Sequence, residues 1–136
     1  MPTLHLAITS LYAGLIALLL VIVSVNVTMG RVKFKVDLGD GGKPEMLQRI
    51  RIQGNLVEYA PIALILMGLL EFAGTASWLL HTLGIVLIVG RLAHAIALSR
   101  SSGTSALRGI GATATWLVIL VGGLLALGTT QGWLVK

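Results

Sequence analysis

Four long apolar stretches, separated by two polar segments and one short turn, organise this chain. Residues 5–30 contain no lysine, arginine, aspartate or glutamate. At about 1.5 Å per helical residue, such a stretch crosses a hydrocarbon layer of roughly 30 Å with some tilt. It is too long for the apolar region of a signal peptide, and no basic residue precedes it, which argues against cleavage. A polar segment runs from Arg31 to about Pro44, with Gly39-Asp40-Gly41-Gly42 as its turn signal. A second helix is expected over 45–72, with Pro44 at or just before its first turn, where a missing N–H is harmless. Pro61 lies inside that helix and removes the donor for the Val57 carbonyl, so a kink is expected there. Ala73-Gly74-Thr75 forms a short turn before a third helix over 76–99. The polar stretch from Arg100 to Ser105 then leads into a fourth helix over 106–130. The expected fold is an all-α integral membrane protein, a four-transmembrane-helix bundle of up-down topology, forming a single domain over residues 1–136. Trp78 and Trp133 suit the membrane interface, and Trp116 suits either the interface or the interior.

Composition agrees with this pattern. Of 136 residues, 56% are hydrophobic and 11% charged, and the mean hydropathy is +0.95, far above a soluble domain. The absence of cysteine excludes disulfides, a thiolate nucleophile and cysteine metal sites. Any thiol chemistry must therefore take its thiol from a ligand. The net charge of +5 would suggest nucleic acid in a soluble protein, but its distribution sets that partner aside. Arg31, Lys33, Lys35, Lys43, Arg49, Arg51, Arg91, Arg100 and Arg108 all lie in or beside the first and third connections, and only Lys136 lies elsewhere. Four spans put these two connections on one side, which the positive-inside rule makes cytoplasmic, with both termini opposite. Asn26-Val27-Thr28 matches a glycosylation sequon but falls at the cytoplasmic end of a span, so it reads as accidental. Gly122 and Ala126 form a small-xxx-small pair suited to close helix packing.

The candidate chemistry gathers at the polar opening of the second helix: Gln48, Arg49, Arg51, Gln53, Asn55, Glu58 and Tyr59. A charged side chain at mid-membrane costs roughly 2.5–3.5 kcal/mol on insertion scales. Arg51, Asn55 and Glu58 follow i, i+4, i+7 spacing and share a helix face. That face combines a carboxylate-binding fork, an amide and an amine-binding carboxylate, which suits a small zwitterionic ligand. Snorkelling into headgroups accounts for Arg49 and Arg51 but not for Glu58, two turns deeper. Arg91 and His94 share a face of the third helix. The plain alternative is a structural ion pair between Glu58 and Arg91 across the bundle. His94 has no second histidine at ligand spacing, so a metal site is set aside. Arg31, Arg100 and Arg108 also read as topology determinants near anionic headgroups. For His5, His81 and Glu71, at the other end, headgroup solvation is the default.

The run Arg51-x-Gln53-x-Asn55-x-x-Glu58-Tyr59-x-Pro61 resembles the signature of the MAPEG family, membrane-associated proteins in eicosanoid and glutathione metabolism. The length, four spans, basic first loop and arginine late in the third helix are similar too. The resemblance implies a homotrimer whose catalytic members bind glutathione between neighbouring subunits, open to the cytoplasmic side. Carried over, Arg51, Asn55, Glu58 and Tyr59 would hold the glutathione backbone. Gln53 would contribute from the adjacent subunit or orient its neighbours. Arg91 would join the same site, Arg31 would lie near the thiol, and Arg108 matches the thiol-activating arginine of the leukotriene-forming branch. Two tyrosine positions of that branch fall near His94 and Leu98. Leu98 cannot hydrogen-bond glutathione, and His94 does so with different geometry. These departures fit a bacterial-type or divergent member, and hence an inner membrane.

The chemistry of the residues is compatible with that resemblance. Arginine forks pair carboxylates, and Glu58 can take an ammonium. Holding a thiol as thiolate near neutral pH needs roughly 2.7 kcal/mol of preferential stabilisation, which one desolvated guanidinium nearby can supply. The expected function is a glutathione-dependent transferase or peroxidase, acting on lipophilic electrophiles or lipid hydroperoxides that arrive through the surrounding lipid. Two other classes compete. One is a non-catalytic lipid-binding or scaffolding trimer, which loss of the arginines would favour. The other is a small proton-coupled four-span exporter, which would place its acid near the midplane without arginine company.

Overall fold

The computed structural model describes residues 6–100 and 105–130. Four helices follow one another: α1 (Ala7–Phe34), α2 (Pro44–Phe72), α3 (Ser77–Arg100) and α4 (Ala106–Thr130). Each is long and apolar enough to cross a membrane, and no strand occurs among the described residues. His5, Trp133, Lys136 and most of the connection before α4 lie outside them. α1 continues one turn past its expected end, carrying Arg31 and Lys33 into its last turn, where cations oppose the negative end of the helix dipole. It stops at Lys35, in the left-handed region at φ 54°, whose N–H returns to the Arg31 carbonyl. α2 begins with Pro44 in its first turn and runs unbroken through Pro61.

Successive helices are antiparallel and packed on one another. α2 and α3 each touch all three other helices, whereas α1 and α4 do not meet among the described residues. The bundle is therefore a rhombus with α2 and α3 on the short diagonal. Its core stacks Tyr12, Ile16 and Val23 of α1 against Leu56, Ala63 and Met67 of α2, with Leu80, Leu87 and Val118 closing the other side. Leu18, Ile22, Leu124 and Leu127 point outward, as lipid-facing residues should. Trp78 and Trp116 are also exposed, so Trp116 does not pack internally.

Lipid tails are as apolar as leucine, so helix association in a membrane depends on close packing and polar bonds. Both are present here. The backbones of α3 and α4 approach at Gly90 and Gly111, where a Cβ on Gly111 would stand 2.6 Å from the Gly90 carbonyl oxygen. The Tyr12 ring lies directly on Gly84. At the end remote from the basic loops, Glu71 accepts the N–H groups of Ile8 (2.8 Å) and Thr9 (2.7 Å), capping α1 from another helix. Tyr12 Oη meets His81 Nδ1 at 3.0 Å and donates to the His81 carbonyl at 3.2 Å. Glu71 and His81 are thus bonded inside the bundle, and headgroup solvation is not their only role.

Candidate functional site

The polar end of the bundle is tied together before any ligand is considered. Arg49 crosses from α2 to α1, donating to the Asn26 carbonyl at 2.8 Å and to the Asn26 side-chain oxygen. Gly30 leaves room for its stem, since a Cβ there would meet Arg49 Cδ at 2.6 Å. Arg49 is therefore a cross-helix tie, and Asn26 is engaged in that tie. Gln53 Nε2 donates to Ser24 Oγ at 2.8 Å, so within its own subunit it ties α2 to α1. Arg31 folds its guanidinium onto the first loop, donating to the carbonyls of Val36 (3.4 Å), Asp37 (3.2 Å) and Gly39 (3.1 Å).

Between α2, α3 and α4 lies a cavity of about 310 Å³ lined by Pro44, Leu47, Gln48, Arg51, Asn55, His94, Leu98 and Arg108. Its size falls at the lower end of small-molecule pockets, roughly 300–1,000 Å³. Of the residues expected at a site, Gln48, Arg51, Asn55, His94 and Arg108 converge here, while Arg49, Gln53, Glu58, Tyr59, Arg91 and Arg31 are not in its lining. Arg51 and Asn55 are one turn apart on α2, so one face presents both. Glu58, one further turn along, joins the Arg51 guanidinium at 3.4 Å, with side chains 48% and 52% exposed. The expected alternative, a Glu58–Arg91 pair across the bundle, does not form. A Cβ on Gly54 would make only ordinary contacts with the Arg51–Glu58 pair, 3.8 Å from Glu58 Oε1 and 3.9 Å from Arg51 Nη1.

Arg91 is instead buried behind the cavity. It donates to Asn55 Oδ1 at 2.6 Å and to the Gly111 carbonyl at 3.2 Å, and its guanidinium lies 5.9 Å from the centroid of the Tyr59 ring. Tyr59 thus supports Arg91. His94 Nδ1 faces the Arg108 carbonyl at 3.4 Å. A carbonyl only accepts, so Nδ1 carries the proton, and Nε2 of the neutral ring is left as an acceptor. Leu98 joins Leu47 and Pro44 in an apolar patch of wall.

The sequence reading did not anticipate Pro44, Leu47 or the cross-helix ties of Ser24 and Asn26. Their signals were the proline at the helix start and two polar residues inside an otherwise apolar span. Among the described residues no group of three histidine or acidic side chains is placed to hold a metal.

The MAPEG family profile matches residues 9–128, nearly the whole chain and all four helices. The chain belongs to the MAPEG family. Within it, the chain is 42% identical over 114 residues to the inner membrane protein YecN of Escherichia coli K12, covering 84% of this chain and 86% of the relative. The same protein from Escherichia coli O6:H1 matches equally well. Membership and the four apolar helices together make this MAPEG protein a multi-pass membrane protein.

Proposed function

We propose that this MAPEG protein is a glutathione-dependent transferase or peroxidase of a bacterial inner membrane, assembled as a homotrimer, with its first and third loops cytoplasmic. The observation that carries the reading is the cavity wall. It brings together two arginines, the two amides of Gln48 and Asn55, and an acceptor imidazole nitrogen, with no carboxylate in the lining. The guanidinium and amide donors suit the carboxylates and the thiolate of glutathione, and the imidazole acceptor suits one of its peptide N–H groups. Arg108 is the candidate for thiolate stabilisation, since it borders the cavity and lies on a different helix from Arg51. Arg31 is held by its own loop, so its role in this reading falls at a neighbouring subunit's site.

Glu58 and Arg51 support the trimer. Both are half exposed on the outer face of a spanning helix, where lipid contact is costly. A neighbouring subunit or the ligand would cover them, and the Glu58 carboxylate would receive the ligand ammonium. The apolar patch of Pro44, Leu47 and Leu98 suits a lipophilic second substrate reaching the thiolate from the bilayer. The exporter reading is less compatible, because the acid at Glu58 has an arginine partner.

Calorimetric titration of the detergent-solubilised protein with glutathione tests the reading. Binding in the micromolar-to-millimolar range is expected, and no binding at several millimolar would end it. Ultraviolet absorbance of bound thiolate near neutral pH tests Arg108. The signal is expected to vanish in Arg108→Ala while binding largely persists.

A further inference from the structure

Arg91 is the most buried charged residue among those described, 3% exposed within a spanning helix. A guanidinium stays protonated in proteins and has only donors, so its placement dictates which atoms face it. Nη1 takes Asn55 Oδ1 at 2.6 Å and the Asn55 carbonyl at 3.3 Å, and Nη2 takes the Gly111 carbonyl at 3.2 Å. Nε is buried without a hydrogen-bond partner, so the group is held through its two outer nitrogens. Asn55 borders the ligand cavity and Arg91 does not. Since Arg91 can only donate, the Asn55 atom turned toward it is the oxygen. The amide nitrogen is then the end left for the cavity.

We infer that Arg91 is a positioning residue that locks the Asn55 amide with its N–H₂ group toward the cavity, making that wall a donor surface for a ligand carboxylate. The identity of the ligand rests on the glutathione reading, but the lock does not. Arg51 and Arg108 add further donors to the same cavity, and no acid borders it. The ligand's ammonium is thereby directed elsewhere, to the Glu58 side of Arg51. The bond to Gly111 places the lock across the seam between α3 and α4, one turn from Arg108.

Two variants of the full-length, detergent-solubilised chain test this. Asn55→Asp keeps an oxygen for Arg91 but replaces both cavity-facing donors with a second carboxylate oxygen. It is expected to melt no lower than the wild type and to bind glutathione at least about tenfold more weakly. The dimethyl ester of glutathione, which lacks free carboxylates, should bind the two proteins alike. Binding of glutathione by Asn55→Asp as tightly as by the wild type, or a much lower melting temperature, would overturn the assignment.

The lock is read separately, without ligand, from the nitrogen-15 resonances of the Asn55 side-chain amide, identified by their loss in Asn55→Asp. They should move in Arg91→Met, or in Arg91→Lys where the methionine variant does not fold. Unchanged amide resonances in a folded Arg91 variant would sink the lock. If the wild type binds no glutathione, the functional reading falls and the resonance measurement still decides the lock.

Discussion

Gly111→Ala is the sharpest probe of how the site is held. A Cβ at this position would stand 2.6 Å from the Gly90 carbonyl oxygen, 2.8 Å from the His94 nitrogen and 3.1 Å from the His94 Cβ. Two of these are backbone atoms, so no side-chain rotation relieves the overlap. Reaching an ordinary contact of 3.4 Å opens the α3–α4 seam by 0.8 Å. That opening stretches the 3.2 Å bond from Arg91 to the Gly111 carbonyl beyond hydrogen-bonding distance. It also lengthens the His94–Arg108 contact, already 3.4 Å. Overpacking of this kind costs about 1–3 kcal/mol, and the lost bond adds on the order of 1 kcal/mol. Replacing glycine by alanine in a helix returns about 0.5–1 kcal/mol, so a matched control is needed. Gly123→Ala supplies it, because no atom lies within 4 Å of its Cβ position. In thermal melts of the detergent-solubilised protein, Gly123→Ala should equal or exceed the wild type and Gly111→Ala should fall several degrees below it. Glutathione titration should show weaker binding in Gly111→Ala alone. Coincident melting curves for the two variants would refute the reasoning, because the seam would then be able to widen freely.

Three further outcomes are expected. Glu71→Gln removes the charged acceptor that caps α1 through Ile8 and Thr9; a loss of about 0.5–2 kcal/mol, read by thermal melting, is expected, and an unchanged melt would deny the cap. Arg31→Ala frees the Val36, Asp37 and Gly39 carbonyls; faster tryptic cleavage after Lys35, followed by mass spectrometry, is expected, and an unaltered rate would show that the loop is held by other means. Tyr12→Phe deletes the hydroxyl that meets His81 and should cost about 0.5–1.5 kcal/mol while leaving glutathione binding unchanged, since these residues are outside the cavity lining.

The sequence determined the four spans, because twenty or so apolar residues have only one economical conformation in lipid: a helix that satisfies its own backbone. It also determined the polar face of α2, since i, i+4, i+7 spacing puts Arg51, Asn55 and Glu58 together on any helix. The spacing of a single helix says nothing about which neighbour each side chain meets, and there tertiary structure decided. Glu58 turned to Arg51 on its own helix, while Arg91 turned to Asn55 and the Gly111 carbonyl. The physical reason is the glycine crossing of α3 and α4. It brings a backbone carbonyl within reach of a buried guanidinium, and only the packed bundle defines that distance. The same holds for Arg31, Arg49 and Gln53: their charge or polarity was plain in the chain, but their partners on α1 and the first loop exist only once the helices are side by side.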